Sequence, residues 1–284
     1  MLNNQNLFFD LDGTLLGASR KLHPDTRETL HKLQNYGNRI YLCSGRPPKY
    51  LQKMVYPLFP FDGMVACAGG CVYAGEQLLL ENEIPLSLID TVLDMFRQRH
   101  IFWQFDTING TYSTPEMDLL FEGALDKAMQ FDPSRMEQFR KEQQKLADLG
   151  VNHPISNWNR QIRVQKIIFS TADAAQFEEI IPILEKEFVI NYFFRSADAL
   201  AGELFPLNCT KAQGIARILE HTGASWENTI GFGDSRNDLE MLQAVRVKVA
   251  AVYAPEELKA AADLYFEDPD RGGIARILEQ LDQK

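Results

Sequence analysis

Leu7-Phe8-Phe9-Asp10-Leu11-Asp12-Gly13-Thr14-Leu15-Leu16 decides how the rest of this chain is read. An apolar run leads straight into two carboxylates separated by one leucine. Side chains alternate along an extended segment, so the pattern places Asp10 and Asp12 on one side and turns Leu11 inward. Gly13 then allows a sharp bend without a steric cost from Cβ. Two carboxylates about 4 Å apart repel by roughly 4 kcal/mol at a surface-like dielectric. Such a pair is kept for a bound cation, or for proton sharing that leaves one acid neutral. A solvated turn after a strand is the plain alternative, since Asp and Gly are common turn formers.

Working outward, both ends of the chain alternate strands with helices. Leu7–Phe9 is followed by a helical pattern over Pro24–Tyr36, a strand Arg39–Cys43, a helix opened by Pro47 and a strand Met64–Ala66. Short strands over Cys71–Tyr73 and Gln77–Leu80 follow a Gly69-Gly70 turn. The last stretch predicts helices over Lys211–Thr222, Leu239–Ala244, Pro255–Ala262 and Gly273–Leu281, with strands Thr229–Phe232, Val247–Val252 and Leu264–Phe266 between them. This alternation is the pattern of an α/β fold: a Rossmann-like parallel sheet with helices on both faces. The middle differs. Helices over Leu86–Arg99, Pro115–Met129, Ser134–Leu149 and Asp173–Glu187 mix with strands Ile101–Asp106, Arg163–Ser170 and Val189–Arg195, the order of an inserted α+β domain. The expected division is 1–83 and 205–284 for the core, and 84–204 for the insert.

A chain of 284 residues, 45% hydrophobic and 24% charged, has the balance of a globular protein with a sizeable core. A formal net charge of −10 argues against nucleic acid or an anionic membrane as a partner. No run approaches the roughly 20 apolar residues that cross a bilayer, and no signal peptide is visible, so the expected location is cytoplasmic. Cys43, Cys67, Cys71 and Cys209 lie among apolar neighbours, as reduced core thiols do. Cys67 and Cys71 lack the His or second Cys pair that a metal site needs.

Three further clusters stand at predicted strand ends or helix starts. Ser44-Gly45-Arg46-Pro47 ends a strand and opens a helix, whose free N–H groups and dipole favour an anion; an ordinary helix start is the competing reading. Thr210 is a good N-cap, and Lys211 in the first turn opposes the helix dipole unless it faces carboxylates or a phosphate. Gly231-Phe232-Gly233-Asp234-Ser235-Arg236-Asn237-Asp238 carries Asp234 and Asp238 four apart at a helix start, where capping competes with function. In open parallel sheets, ligands bind at the carboxyl ends of the strands, which is where these residues gather.

Together these residues resemble the haloacid dehalogenase-like superfamily of phosphatases, in its Cof-type branch with a class IIB cap. Asp10-x-Asp12-Gly13-Thr14 resembles its first motif, Ser44 the second, Lys211 the third, and Gly233-Asp234-Ser235-x-Asn237-Asp238 the fourth. The resemblance implies a Mg²⁺-dependent phosphatase of a small phosphorylated metabolite, such as a sugar phosphate, working through an aspartyl-phosphate. It implies Asp10 as nucleophile and Asp12 as general acid and base. Mg²⁺ would be held by Asp10, Asp234 and the Asp12 backbone carbonyl, and the phosphoryl oxygens by Ser44, Gly45, Lys211 and Asn237. Thr14 and Asp238 would support these groups. A phosphosugar mutase and a binding module without turnover are the alternatives; the second leaves the Asp10/Asp12 pair without a purpose. The chain departs from the pattern in reading Ala68-Gly69-Gly70 in place of Asn-Gly, and Ala251-Val252-Tyr253-Ala254 in place of Met-Gly-Asn-Ala. Both changes remove polar groups expected at the rim of the site. Trp103, Phe105, Trp158, Arg160 and Arg163 in the insert are the candidates for selecting the substrate, with packing as the competing role for each aromatic. Oligomeric state is open.

Overall fold

A computed structural model describes residues 2–117 and 133–283. Contacts divide them into two compact units. One holds the residues up to Gly45, Met54–Glu81 and those from Cys209 onward; the other holds Arg46–Lys53 and Asn82–Asn208.

The first unit is built on an eight-stranded sheet. Its strands are β1 (Asn6–Phe9), β2 (Arg39–Cys43), β3 (Gly63–Ala66), β4 (Cys71–Ala74) and β5 (Gln77–Glu81). From the C-terminal part come β12 (Thr229–Gly233), β13 (Val247–Ala251) and β14 (Leu264–Phe266), numbered after the six strands of the second unit. The order is β14-β13-β12-β1-β2-β3-β4-β5. Six strands run parallel, while β4 and β5 extend the edge as an antiparallel hairpin. The sheet has helices on both faces, so its central strands read as continuous apolar runs rather than alternating ones. Leu7, Phe8, Phe9, Ile40 and Leu42 are all fully buried.

The chain moves outward from β1 in both directions, through β2 and β3 on one side and β12 to β14 on the other. The carboxyl ends of β1 and β12 thus form a switch point of the kind at which open α/β sheets place ligands. Register sets the height of what leaves those ends. Phe9 is level with both Leu42 and Phe232. The Phe9 and Phe232 rings stack with centroids 4.2 Å apart, and Phe8 stacks on Tyr41 at 5.0 Å. Neighbouring aromatic pairs of this kind hold strands in register.

The second unit has a six-stranded sheet in the order β10-β11-β9-β6-β7-β8. The strands are β6 (Phe102–Thr107), β7 (Gly110–Ser113), β8 (Asn152–Pro154), β9 (Lys166–Thr171), β10 (Phe188–Arg195) and β11 (Leu200–Pro206). Its core gathers Ile89, Val92 and Phe96 of the helix Leu86–Gln98 with Phe105, Ile167, Phe169, Phe177 and Leu204.

Several expectations change. One helix over Asp173–Glu187 becomes two short ones, Ala174–Glu178 and Ile181–Leu184, because Pro182 lacks the N–H a continuous helix needs. The expected helix Pro115–Met129 is described only over its first three residues; 118–129 lie outside the described residues. The helix after Pro47 is only Pro48–Tyr50, followed by a π-helical turn Leu51–Val55. Together they make one helical stretch of eight residues, at whose start Pro47 and Pro48 offer no N–H. All four cysteines are buried free thiols.

Candidate active site

Asp10 is the first residue beyond β1. Its N–H donates to the Phe232 carbonyl at 2.9 Å, and its side chain is almost wholly buried. The chain then closes into a compact turn. Leu15 N–H donates to Asp10 O, Leu16 N–H to Leu11 O and Gly13 N–H to Leu16 O, while Leu11, Leu15 and Leu16 are buried beneath. The strand ends at Phe9, Asp10 continues its pairing, and Asp12 lies in the turn, bridged to Leu16. Asp10 is buried and Asp12 is exposed.

Gly13 has φ +90°, a conformation that L side chains rarely adopt. A Cβ there would lie 2.4 Å from Asp234 Oδ2, so the turn packs directly against that carboxylate. Thr14 is buried, and its hydroxyl donates to Asp234 Oδ1 at 3.1 Å. Thr14 thus ties this turn to the segment after β12.

Asp234 follows β12 and leads into a tight turn over Arg236–Asp238. Asp238 is fully buried. Its Oδ2 accepts from the N–H groups of Asp234 and Ser235 at 3.0 and 3.1 Å, while Oδ1 accepts from Lys211 Nζ at 2.6 Å. One carboxylate thus caps the turn and pairs with Lys211. Asn237 Oδ1 accepts from Ser235 Oγ at 2.9 Å and, more weakly, from Lys211 at 3.5 Å.

Lys211 starts the helix Lys211–Thr222, capped by Thr210, whose hydroxyl accepts from Gln213 N–H at 3.2 Å. That helix sits very close to the sheet, since a Cβ on Gly214 would be 2.4 Å from Val65 Cγ1. Lys211 is thereby buried with its ammonium 2.6 Å from Asp10 Oδ1 as well as from Asp238. Burial alone would lower its pKa, but the charges and hydrogen bonds of Asp10 and Asp238 outweigh that and hold it above the ordinary lysine value.

Oxygens of Asp10, Asp234 and Asp238 all lie within 4.8 Å of one another. Three carboxylates face one ammonium, an excess of two formal negative charges in a buried place. Burial chiefly, then Asp238 and Asp234, raise Asp10 well above the carboxylate range despite the opposing pull of Lys211. Burial and then Asp238 push Asp234 up to about 6. An all-oxygen donor set with surplus negative charge suits a hard divalent cation such as Mg²⁺. Asp10, Asp234 and Asp238 are the side chains that could hold it. Asp12 contributes no carboxylate to this group.

Ser44 leaves β2 at the same end of the sheet and is buried. Its N–H donates to Val65 O at 2.8 Å, and its carbonyl accepts from Ala68 N–H at 3.0 Å. Gly45, which follows it, is half-buried. Cys67 and Ala68 both adopt positive φ, at 49° and 56°, a conformation uncommon for non-glycine residues. The insert candidates are placed differently. Phe105 is fully buried, edge-on to Trp158 at 4.9 Å, so it packs the second unit's core. Trp158 Nε1 donates to Ile162 O at 3.1 Å. Trp103 packs beside the same core under the Arg97 guanidinium, 5.7 Å from its ring. Arg160 makes a two-pronged bond to Asp90 at 3.0 and 2.7 Å, and Arg163 pairs with Glu83 at 3.3 Å. Tyr253, noted in the sequence only as a departure, reaches the Gly13 carbonyl with its hydroxyl. No local pattern could have signalled a contact 240 residues long.

Residues 7–278 match the sequence profile of the haloacid dehalogenase-like hydrolases. YkrA of Bacillus subtilis, whose phosphatase assignment is itself provisional, is 24% identical over 99% of this chain and 98% of its own. The pyridoxal phosphate phosphatase YbhA of Escherichia coli is 23% identical over 95% of each chain. A solved HAD subclass IIB sugar phosphatase superposes with a TM-score of 0.72 at 23% identity, covering 98% of this chain and 99% of that one. Among the described residues no helix is long and apolar enough to cross a membrane.

Proposed function

Because this chain belongs to the haloacid dehalogenase-like hydrolases and is a phosphatase, we propose that it hydrolyses a small phosphomonoester through an aspartyl-phosphate formed on Asp10. The observation that carries this reading is the setting of Asp10, buried at the end of β1 with Lys211 2.6 Å away and Asp234 and Asp238 beside it.

An Asp10 oxygen attacks phosphorus, and the bond to the leaving oxygen breaks as that oxygen takes a proton from Asp12. Asp12, now a carboxylate, removes a proton from water. The water attacks the phosphorus, the bond to Asp10 breaks, and inorganic phosphate leaves. Exposure suits Asp12 to this exchange, because the acid must meet both the leaving group and water. Lys211 compensates charge on the phosphoryl oxygens as a point charge, anchored by Asp238. Ser44, Gly45 and Asn237 are proposed to hold the remaining phosphoryl oxygens. Asp10, Asp234 and the Asp12 carbonyl are the proposed Mg²⁺ ligands. When bound, the ion would offset the surplus negative charge and lower the cost of admitting a dianion.

The proposed substrates are small phosphorylated metabolites, sugar phosphates among them, as the solved sugar phosphatase relative supports. We further propose that 84–204 acts as a cap that selects among them, that nucleic acid is not a partner, and that the protein is cytoplasmic. The test is chemical. With Mg²⁺ and p-nitrophenyl phosphate, borohydride quenching during turnover should convert Asp10 to homoserine, read by peptide mass spectrometry. Turnover without any such label at Asp10 overturns the mechanism. Rates across a panel of phosphorylated metabolites then rank the substrates.

A further inference from the structure

Asp12 stands beyond the end of β1, in a turn where it bridges Leu16. Most backbone groups of its turn are satisfied within it: Gly13 N–H donates to Leu16 O, Thr14 N–H to Leu11 O and Leu16 N–H to Leu11 O. The carbonyl of Gly13 is different. It accepts from the Tyr253 hydroxyl, which comes from the far end of the chain.

Tyr253 lies just past β13 and Gly13 just past β1, and β12 runs between those two strands. Their hydrogen bond therefore spans the strand end from which Asp234 emerges. The base of Tyr253 is itself well held. Val252 N–H donates to Phe266 O at 2.9 Å and Ala254 N–H to Ala251 O at 3.0 Å, while the Tyr253 ring meets Phe266 edge-on at 6.3 Å. Gly13 is thus gripped from two directions, by the Asp234 carboxylate against its Cα and by Tyr253 at its carbonyl. Burial, followed by Asp234, Asp268, Asp270 and Asp10, holds the Tyr253 phenol above its ordinary value, so the hydroxyl stays a donor.

We propose that Tyr253 is a positioning residue whose hydroxyl fixes the Gly13 peptide and, through it, sets the adjoining Asp12 carboxyl for proton transfer to the leaving oxygen. This rests on the acid role proposed above for Asp12. Tyr253→Phe keeps the ring on Phe266 and removes only the hydroxyl, so the fold has little reason to change.

The discriminating measurement is kcat/KM for phenyl phosphate against p-nitrophenyl phosphate, at saturating Mg²⁺, in wild type, Tyr253→Phe and Asp12→Asn. Both esters have nearly the same shape. Phenolate leaves poorly without a proton, whereas p-nitrophenolate leaves readily without one. Misplacing the acid should therefore penalise phenyl phosphate selectively. Tyr253→Phe should lose about three- to tenfold more kcat/KM on phenyl phosphate than on p-nitrophenyl phosphate, the scale of one neutral hydrogen bond. Asp12→Asn should shift the ratio the same way and further. An unchanged ratio in Tyr253→Phe overturns this inference alone, whether or not both rates fall together. A wild-type protein that hydrolyses neither ester with Mg²⁺, or an unchanged ratio in Asp12→Asn, overturns the underlying reading and this inference with it.

Discussion

Lys211 Nζ lies 2.6 Å from Oδ1 of Asp238, and both side chains are buried. The pair ties a helix start to the turn after β12, and the same ammonium lies 2.6 Å from Asp10 at the end of β1. Three separate segments therefore meet at one charge. Asp238 is oriented for this by two backbone N–H groups on its other oxygen, so the lysine has a prepared seat.

Removing that lysine leaves buried carboxylates uncompensated. Lys211→Met should lower stability by about 3–5 kcal/mol near neutral pH in metal-free buffer. Its hydrolysis of p-nitrophenyl phosphate should fall by roughly 10²-fold or more. Urea melts and steady-state rates check both. Unchanged stability would contradict the view that Lys211 balances the cluster.

Asp10→Asn keeps the shape of the nucleophile and removes its charge. Turnover should drop by about three orders of magnitude or more, as when other enzymes lose a nucleophile. Circular dichroism should remain that of the wild type. Retained steady-state activity in protein free of wild-type contamination would sink the assignment.

The metal prediction concerns both rate and stability. EDTA should remove activity and Mg²⁺ should restore it. Ca²⁺ should bind but support little turnover, since its looser, larger shell misplaces the reacting groups. Mg²⁺ binding only to the folded protein should also raise Tm with increasing concentration. Activity that survives exhaustive chelation, with no Mg²⁺-dependent shift in Tm, would remove the metal from the scheme.

A pH dependence follows from Asp234, pushed up to about 6 by burial and Asp238. The metal-free native state holds this proton more tightly than the unfolded chain does. Its stabilising contribution is complete below the unfolded carboxylate value of about 4 and is lost as pH rises through about 6. Metal-free wild type should therefore weaken across that window. Asp234→Asn, whose amide oxygen still accepts from Thr14, should flatten this dependence and gain about 1–2 kcal/mol at pH 7.5, while losing the Mg²⁺ response. Denaturant melts from pH 4 to 8 provide the measurement, and equal slopes in both proteins would refute it.

Phe105 serves as the control outside the site. Phe105→Ala should cost about 3–5 kcal/mol through the cavity it leaves. Below its melting temperature, kcat for p-nitrophenyl phosphate should stay within about twofold of wild type. Normal stability with an altered ranking of substrates would return Phe105 to the selecting residues.

The parallel core was legible because it is written locally. Buried strands read as short apolar runs, and Asp10, Ser44, Lys211 and Asp234 mark their ends or the start of the next helix. The insert was harder to read. Within β11, Leu200–Pro206, a glycine and a glutamate interrupt the strand pattern. Glu203 is buried only because Lys166 lies 2.7 Å away and Asn191 2.9 Å away, and both partners are supplied by other strands. Nothing within seven residues could reveal that compensation.

The first carboxylate pair marks the same boundary. The sequence alone determined that Asp10 and Asp12 follow a buried strand and share a turn with Gly13, because composition and order carry that information. Only the tertiary structure decided that Asp10 is buried against Lys211 while Asp12 is exposed, and that Thr14 and Gly13 lean on Asp234. It also decided that Tyr253, on another strand end, closes the turn. Burial, charge compensation and reach depend on which strands become neighbours. That choice is made by packing and register across the whole sheet, so no local run of residues contains it.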